Sequence, residues 1–208
     1  MARLSRNFYR GDTVVTAKNL LGRYLVRMLN GEALVCRITE TEAYVGRCDK
    51  ACHAYQYRRT ERTEPLFGEP GHAYLYLIYG MYSCLNFVTE PEGEPAAVLI
   101  RAGEPVAGTD TIRKLRFGKN EDRLSAYQQR NFMNGPGKLC KGLSLTRVQN
   151  RMDLTGDELF VCESPADIGL PCPPVPGGEV LRAGPRIGVD YAEEARDFLW
   201  RFRLEKGE

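Results

Sequence analysis

Gly71-His-Ala-Tyr-Leu-Tyr-Leu-Ile-Tyr-Gly-Met-Tyr-Ser-Cys-Leu-Asn86 is the segment whose reading decides the fold. Residues 73–79 and 84–89 are apolar and aromatic, the composition of strands, and Tyr79-Gly80-Met81-Tyr82 between them reads as a turn. Downstream, residues 96–102 form a further apolar strand. Upstream, 23–28 and 34–41 have strand composition and flank Asn30-Gly31, a hairpin signal. Before them Asp12 is placed to cap a short helix that Gly22 stops. Residues 46–72 are polar and punctuated by Gly and Pro, and predict a long loop of the kind that carries function. Residues 109–117, 123–132 and 138–145 predict helices, 164–185 a Pro/Gly-rich loop, and 191–198 a last short helix. Strands in the middle with helices after them predict an α+β fold. The expectation is a single domain over residues 1–208: a curved, mostly antiparallel β-sheet flanked by α-helices, with a hairpin protruding around residues 74–89. A chain of 208 residues is long enough to bury roughly 70% of its unfolded surface in one core.

No apolar run approaches the roughly 20 residues that span a bilayer, so no membrane partner is expected. The start, Met1-Ala-Arg-Leu-Ser-Arg, lacks the apolar stretch of a secretory signal. Seven scattered cysteines without such a signal predict reduced thiols. Cys48-x3-Cys52-His53 has a zinc-like look, but His72 is the only other histidine and supplies no second pair of ligands, so neither metal nor cofactor is expected. The net charge of +2 hides a strong segregation. Residues 1–62 hold twelve basic and six acidic residues, 63–100 none and five, 101–151 eleven and four, and 152–208 six and twelve. Twenty-two of the basic residues are Arg, suited to bidentate phosphate contact. Such runs are usually solvated faces, yet they permit a locally basic surface.

Three pieces carry chemistry. In Arg37-Ile-Thr-Glu-Thr-Glu-Ala-Tyr-Val-Gly46, period-two geometry projects Glu40, Glu42 and Tyr44 together. A carboxylate facing a pocket can act as a general base, while an edge strand with a solvated acidic face explains the same pattern. Tyr74, Tyr76, Tyr79 and Tyr82 crowd the hairpin; aromatic alternation more often packs a sheet than stacks bases, but Tyr79 sits at a Gly turn and Asn86 is an amide in an apolar strand. Arg101 ends the apolar run Val98-Leu-Ile, as a structural ion-pair partner or a holder of water or phosphate.

With these pieces in place, the chain resembles the alkyladenine-type 3-methyladenine DNA glycosylases. The resemblance rests on Arg37 to Tyr44, His53, Pro70-Gly-His-Ala-Tyr-Leu-Tyr-Leu-Ile-Tyr-Gly-Met-Tyr82, Leu85-Asn86, Val98-Leu-Ile-Arg101 and Asn134-Gly-Pro-Gly-Lys-Leu-Cys140. It runs from Tyr9-Arg10 to about Arg186-Ile-Gly-Val189, nearly the whole chain. It implies a monofunctional base-excision enzyme of the prokaryotic cytoplasm that acts as a monomer on double-stranded DNA containing a damaged purine, without a cofactor. Carried over position by position, it implies Glu42 as the base that activates water, with Arg101 helping to hold that water. Tyr44, His53 and Tyr76 would sandwich the extruded base, Asn86 would exclude guanine through its 2-amino group, and Leu99 would wall the pocket. Tyr79 would wedge into the duplex with Met81 beside it, and no role is implied for Glu40.

Two departures stand out: Glu61 replaces a proline of the family's Thr-Pro-Arg, and Tyr82 stands where many bacterial members carry His. The basic blocks then supply phosphate contacts, Arg58, Arg59, Arg62, Lys138 and Lys141, and the acidic C-terminal block is expected to face away from DNA. Other classes consistent with the residues are a non-catalytic damaged-DNA- or RNA-binding module on the same fold, and a small Cys/His zinc protein.

Overall fold

A computed structural model describes residues 3–118, 124–172, 174 and 177–207. Two short helices open the chain, α1 (Arg6–Tyr9) and α2 (Thr13–Asn19), then strands β1 (Tyr24–Leu29) and β2 (Glu32–Val45). After a long connection with short 3₁₀ turns at Tyr55–Tyr57 and Glu64–Phe67 come β3 (Ala73–Ile78), β4 (Tyr82–Val88) and β5 (Ala96–Ala107). Helices α3 (Thr109–Phe117), α4 (Ala126–Arg130) and α5 (Pro136–Gly142) follow. Strands β6 (Leu159–Cys162), β7 (Glu179–Gly184) and β8 (Arg201–Lys206) complete one eight-stranded sheet. Its order is β3-β4-β5-β2-β1-β6, with β8 added to β2 and β7 added to β8, and every pairing among the described residues is antiparallel. The α+β architecture read from the sequence is the one observed.

Local chemistry explains the elements that matter. The Asp12 carboxylate accepts from the Val15 N–H at 2.9 Å and starts α2. Asn30 and Gly31 both adopt positive φ, the geometry of a two-residue hairpin turn, and join β1 to β2. β2 is 14 residues long because its far half finds a second partner, β8, after β1 has ended. Register shifts around Glu40 mark the bulge that bends it. The main core, with Tyr9, Leu25, Leu34, Ile38, Phe87, Ile100, Ile112, Leu139 and Phe202, lies between this sheet and α2, α3 and α5. Helix α5 packs directly on the hairpin: a Cβ on Gly137 would lie 3.0 Å from that of Tyr82, so this glycine of the Gly-Pro-Gly run lets the helix approach without displacing the tyrosine.

Several boundaries differ from the sequence reading. The helix expected over 123–132 is the five-residue α4, closed by a Ser125–Gln128 capping box, and the expected start at Arg123 lies outside the described residues. The helix expected over 138–145 begins earlier, at Pro136, where a missing N–H costs nothing, and ends before Ser144 turns left-handed. The expected loop 164–185 ends in β7, an exposed strand whose pattern shows no alternation. The segment 191–198 contains only a 3₁₀ turn, Glu193–Asp197. Among the described residues no helix is long and apolar enough to cross a membrane.

Candidate active site

Antiparallel partners share a face, so the strand register alone assembles the site. Tyr74 opposes Asn86 across β3 and β4, Asn86 opposes Leu99 across β4 and β5, and Leu99 opposes Glu42 across β5 and β2. Tyr76, Tyr44 and Arg101 each lie two residues along their strands from one of these. Four strands therefore deliver six of the expected residues, together with Tyr74, to one face of the sheet. The long loop brings His53 across it.

Glu42 is fully buried, with 0% exposure. Its Oε2 accepts from the Tyr44 hydroxyl at 2.7 Å and from Arg101 Nη1 at 3.4 Å, and its Oε1 accepts from the Ile187 backbone N–H at 2.9 Å. Glu40 projects to the same guanidinium: Arg101 Nε donates to its Oε1 at 3.1 Å, and Arg201 Nε donates to that oxygen too. The shared face expected for Glu40, Glu42 and Tyr44 is present, and it is interior rather than a solvated edge. Burial, then the neighbouring Glu42 carboxylate, pushes the Tyr44 phenol well above its usual range, so it stays a neutral donor.

Tyr44, whose hydroxyl donates to Glu42, borders a cavity lined also by Ala51, Cys52, His53, Leu66, Tyr74, Tyr76, Asn86 and Ala97; Glu42 and Arg101 lie behind this wall and are not part of the lining. The cavity volume of about 30 Å³ has room for water but not for a purine. His53 leans edge-on against Tyr76, with ring centroids 4.6 Å apart, and its Nδ1 pairs with the Tyr74 hydroxyl at 3.0 Å. The Arg62 guanidinium lies 5.1 Å over the Tyr76 ring, with Nη2 3.4 Å from His53 Nε2. Asn86 Nδ2 donates to the carbonyls of Tyr74 and Cys84, which fixes the amide in the cavity wall. Leu99 is buried in register between Asn86 and Glu42 and is not part of the cavity lining. Cys48 is exposed and Cys52 lines the cavity, and the described residues contain no His/Cys/Asp/Glu group that could hold a metal.

Burial, and secondarily Arg62, pushes the His53 imidazole down to about 4 from 6.5. Because the folded value is the lower, the unfolded chain binds more protons between these limits. The contribution to stability is complete above 6.5 and is lost as pH falls towards 4. A titration of the His53 ring by NMR is expected to show a midpoint near 4, and a midpoint near 6.5 would contradict this burial.

At the hairpin tip Tyr79 is 83% and Met81 68% exposed. Tyr79 also adopts φ 52°, a left-handed conformation costly for an aromatic residue and found mainly where function holds it. The basic residues divide. Arg59 is tied to Glu64 at 2.7 and 2.8 Å, and Lys138 to Asn131 at 2.7 Å, whereas Arg58 and Lys141 form no ion pair among the described residues. Sequence reasoning missed Arg147 and Arg151, which line with Arg62 a cleft of about 470 Å³ beside Tyr76 and Leu77.

It also missed the contribution of the C-terminal segment. Arg186 is buried with Asp49 as a bidentate pair and donates to the carbonyls of Ala43 and Ala195. Its guanidinium lies 4.7 Å over the Tyr44 ring. Ile187 reaches Glu42, and Tyr191 lines a groove with His53 and Arg62. The acidic C-terminal block therefore does not lie wholly on the far side: residues 186–201 return to the site because β8 pairs with β2. The signal available in the sequence was that the resemblance extends as far as Arg186-Ile-Gly-Val189. Arg186→Met would leave the Asp49 carboxylate buried without its partner, which costs about 3–5 kcal/mol. The expected fall in Tm is on the order of 10 °C by calorimetry, and a fall within 2 °C would contradict it.

Comparison with known proteins shows the family. The family model described as "Methylpurine-DNA glycosylase (MPG)" matches residues 7–208. A Clostridium perfringens (strain SM101) protein named "Putative 3-methyladenine DNA glycosylase" is 47% identical over 203 residues, covering 98% of this chain and 96% of its own. Proteins of the same name from Clostridium acetobutylicum and Clostridium novyi are 48% and 44% identical, covering 98% and 99% of this chain and 94% and 96% of theirs. A family model that matches residues 7–208, and relatives 44–48% identical over 98–99% of the chain, show that the chain belongs to the methylpurine-DNA glycosylase family.

Proposed function

We propose that this DNA glycosylase hydrolyses the N-glycosidic bond of alkylated or deaminated purines through a water activated by Glu42. 3-Methyladenine and 7-methylguanine are the first substrates, and hypoxanthine or 1,N6-ethenoadenine are further ones. The observation that carries the reading is the fully buried Glu42 carboxylate behind the wall of the aromatic cavity, held by Tyr44, Arg101 and Ile187. Its two oxygens offer about four acceptor positions and three are used. The carboxylate is fully buried in this closed arrangement, and the fourth position takes the water when the pocket opens. Glu42 takes a proton from that water as the oxygen attacks C1′ of an oxocarbenium-like sugar. The glycosidic electron pair leaves with the base.

Alkylation at N3 or N7 makes the purine a cation and hence a good leaving group. A cation stacks well on tyrosine faces, and the rings of Tyr44 and Tyr76 border the cavity. A neutral His53 at pH 7 adds no charge against such a base. The cavity must open to admit it, and His53 with Arg62 above it is the group that would yield. Tyr79 and Met81 enter the stack at the vacated position, and Arg58, Arg62, Lys141, Arg147 and Arg151 meet phosphates. Attack by water leaves the sugar-phosphate strand intact, so base release without strand cleavage is part of this reading.

Asn86, pinned by two carbonyls, would collide with the 2-amino group of guanine. Asn86→Ser is expected to raise release of unmodified guanine at least tenfold over wild type, measured by chromatography of freed bases. An unchanged guanine yield would remove that role. The test of the function as a whole is incubation with methylated duplex DNA. Free 3-methyladenine and 7-methylguanine are expected, and release of neither would reject the reading.

A further inference from the structure

We infer that Glu40 and Arg201 act as positioning residues that hold Arg101 in a shared pose and so leave one acceptor position of the Glu42 carboxylate unclaimed for the attacking water. This rests on the proposed role of Glu42 and goes beyond it. Arg101 is one cation between two carboxylates, and it is anchored on the wrong one for a simple ion pair. Its Nε lies 3.1 Å from Glu40, while its Nη1 lies 3.4 Å from Glu42. Free of Glu40, the guanidinium fork would rotate to a two-pronged pair with Glu42, the geometry arginine prefers with carboxylates. Glu42 has a single acceptor position left after Tyr44, Ile187 and one Arg101 nitrogen. A two-pronged pair would take it and leave no place for the water when the pocket opens.

Arg201 sets the balance from the other side. It comes from β8, opposite Glu42 in register, and donates to the same Glu40 oxygen as Arg101 does. By neutralising part of the Glu40 charge it prevents Glu40 from drawing Arg101 away altogether. Arg201 and Glu40 also line a cleft of about 470 Å³ with Asn134, Arg130 and Arg203, so the end of the chain of charges is reached from solvent. The charged and titratable groups around Glu42 are Arg101 from β5, Cys84 from β4, Arg186 from the segment after β7, Arg201 from β8, and Glu40 and Tyr44 from its own strand. Of these, Glu40 bonds Arg101 and Arg201 bonds the same Glu40 oxygen. Their charges also act on Glu42 directly, so the fall in the pH-independent rate of Glu40→Gln, which a change of charge alone would not give, reads the positioning.

The two positions therefore have opposite signatures. In Glu40→Gln, Arg101 closes on Glu42, so the pH-independent rate falls at least tenfold and the acid limb of the profile moves down by about one pH unit. In Arg201→Gln, Glu40 pulls Arg101 towards itself and the acid limb moves up by a similar amount. Single-turnover excision between pH 5 and 9 measures both, on a duplex carrying one hypoxanthine or, where that is not released, one 7-methylguanine. Circular dichroism and lesion-duplex affinity report on folding and binding of each variant. Limbs that coincide with wild type, or that move in the same direction, would overturn the inference. If Glu40→Gln does not fold, an unmoved limb in Arg201→Gln overturns it alone. Glu42→Gln, run alongside, separates the two levels: wild-type rates there would reject the base itself, whereas an inactive Glu42→Gln with unmoved limbs would reject only the positioning role.

Discussion

Glu42→Gln is expected to lower single-turnover release of a neutral purine lesion by 10²–10⁴-fold while lesion binding stays within a few-fold of wild type. The substitution keeps shape and keeps an acceptor oxygen for Ile187 or Tyr44, so the fold around it has little reason to change. What it loses is the charge and the proton acceptor. A neutral base leaves poorly, so the attacking water must be well activated, and a neutral lesion therefore exposes the defect more fully than a cationic one. On 7-methylguanine, already a good leaving group, a smaller loss is expected. Equal losses on both lesions would mean that the carboxylate serves the pocket's shape rather than the water. No loss on either would remove Glu42 from the chemistry.

The second large effect is expected at the hairpin tip. Tyr79→Ala removes the most exposed tyrosine of the hairpin, whose left-handed backbone aims it away from the protein. Stacking of one aromatic ring on bases contributes about 1–3 kcal/mol, so affinity for a lesion duplex should fall by roughly 5–150-fold. The loss should shrink when the lesion lies opposite an abasic gap or in single-stranded DNA, where no stack has to be held open. The measurement is fluorescence anisotropy on the two substrates, and equal losses on both would show that Tyr79 contributes affinity without acting as a wedge. Because Tyr79 is 83% exposed, its removal should leave Tm unchanged, which separates the effect from folding.

The parts of this site visible in the sequence are those governed by period-two geometry. Glu40, Glu42 and Tyr44 alternate along one strand, and Tyr74, Tyr76 and Asn86 are related through one short hairpin, so local spacing already groups them. Arg101 follows because β5 is the next antiparallel strand. The rest depends on contacts between residues far apart in the chain. Arg186 meets Asp49, and Arg201 meets Glu40, only because β8 pairs with the distal half of β2. β8 reads Arg-Phe-Arg-Leu-Glu-Lys, and its single well-buried residue, Phe202, gives too little apolar alternation to announce a strand. β7 hides for the same reason, being an exposed strand beside it. The small net charge was misleading in the same way: basic and acidic segments cancel in the total, yet Arg62, Arg147 and Arg151 gather at one cleft while Glu193 and Glu194 are taken up by Lys50.

The most direct test of the account is single-turnover reaction of the wild-type protein with a duplex carrying one 3-methyladenine, followed both for free base and for strand integrity. The account predicts stoichiometric release of the base, a strand that breaks only after heating in alkali, and no covalent adduct trapped by borohydride. Absence of base release, or strand cleavage with a trapped adduct, would contradict hydrolysis by a water held at Glu42.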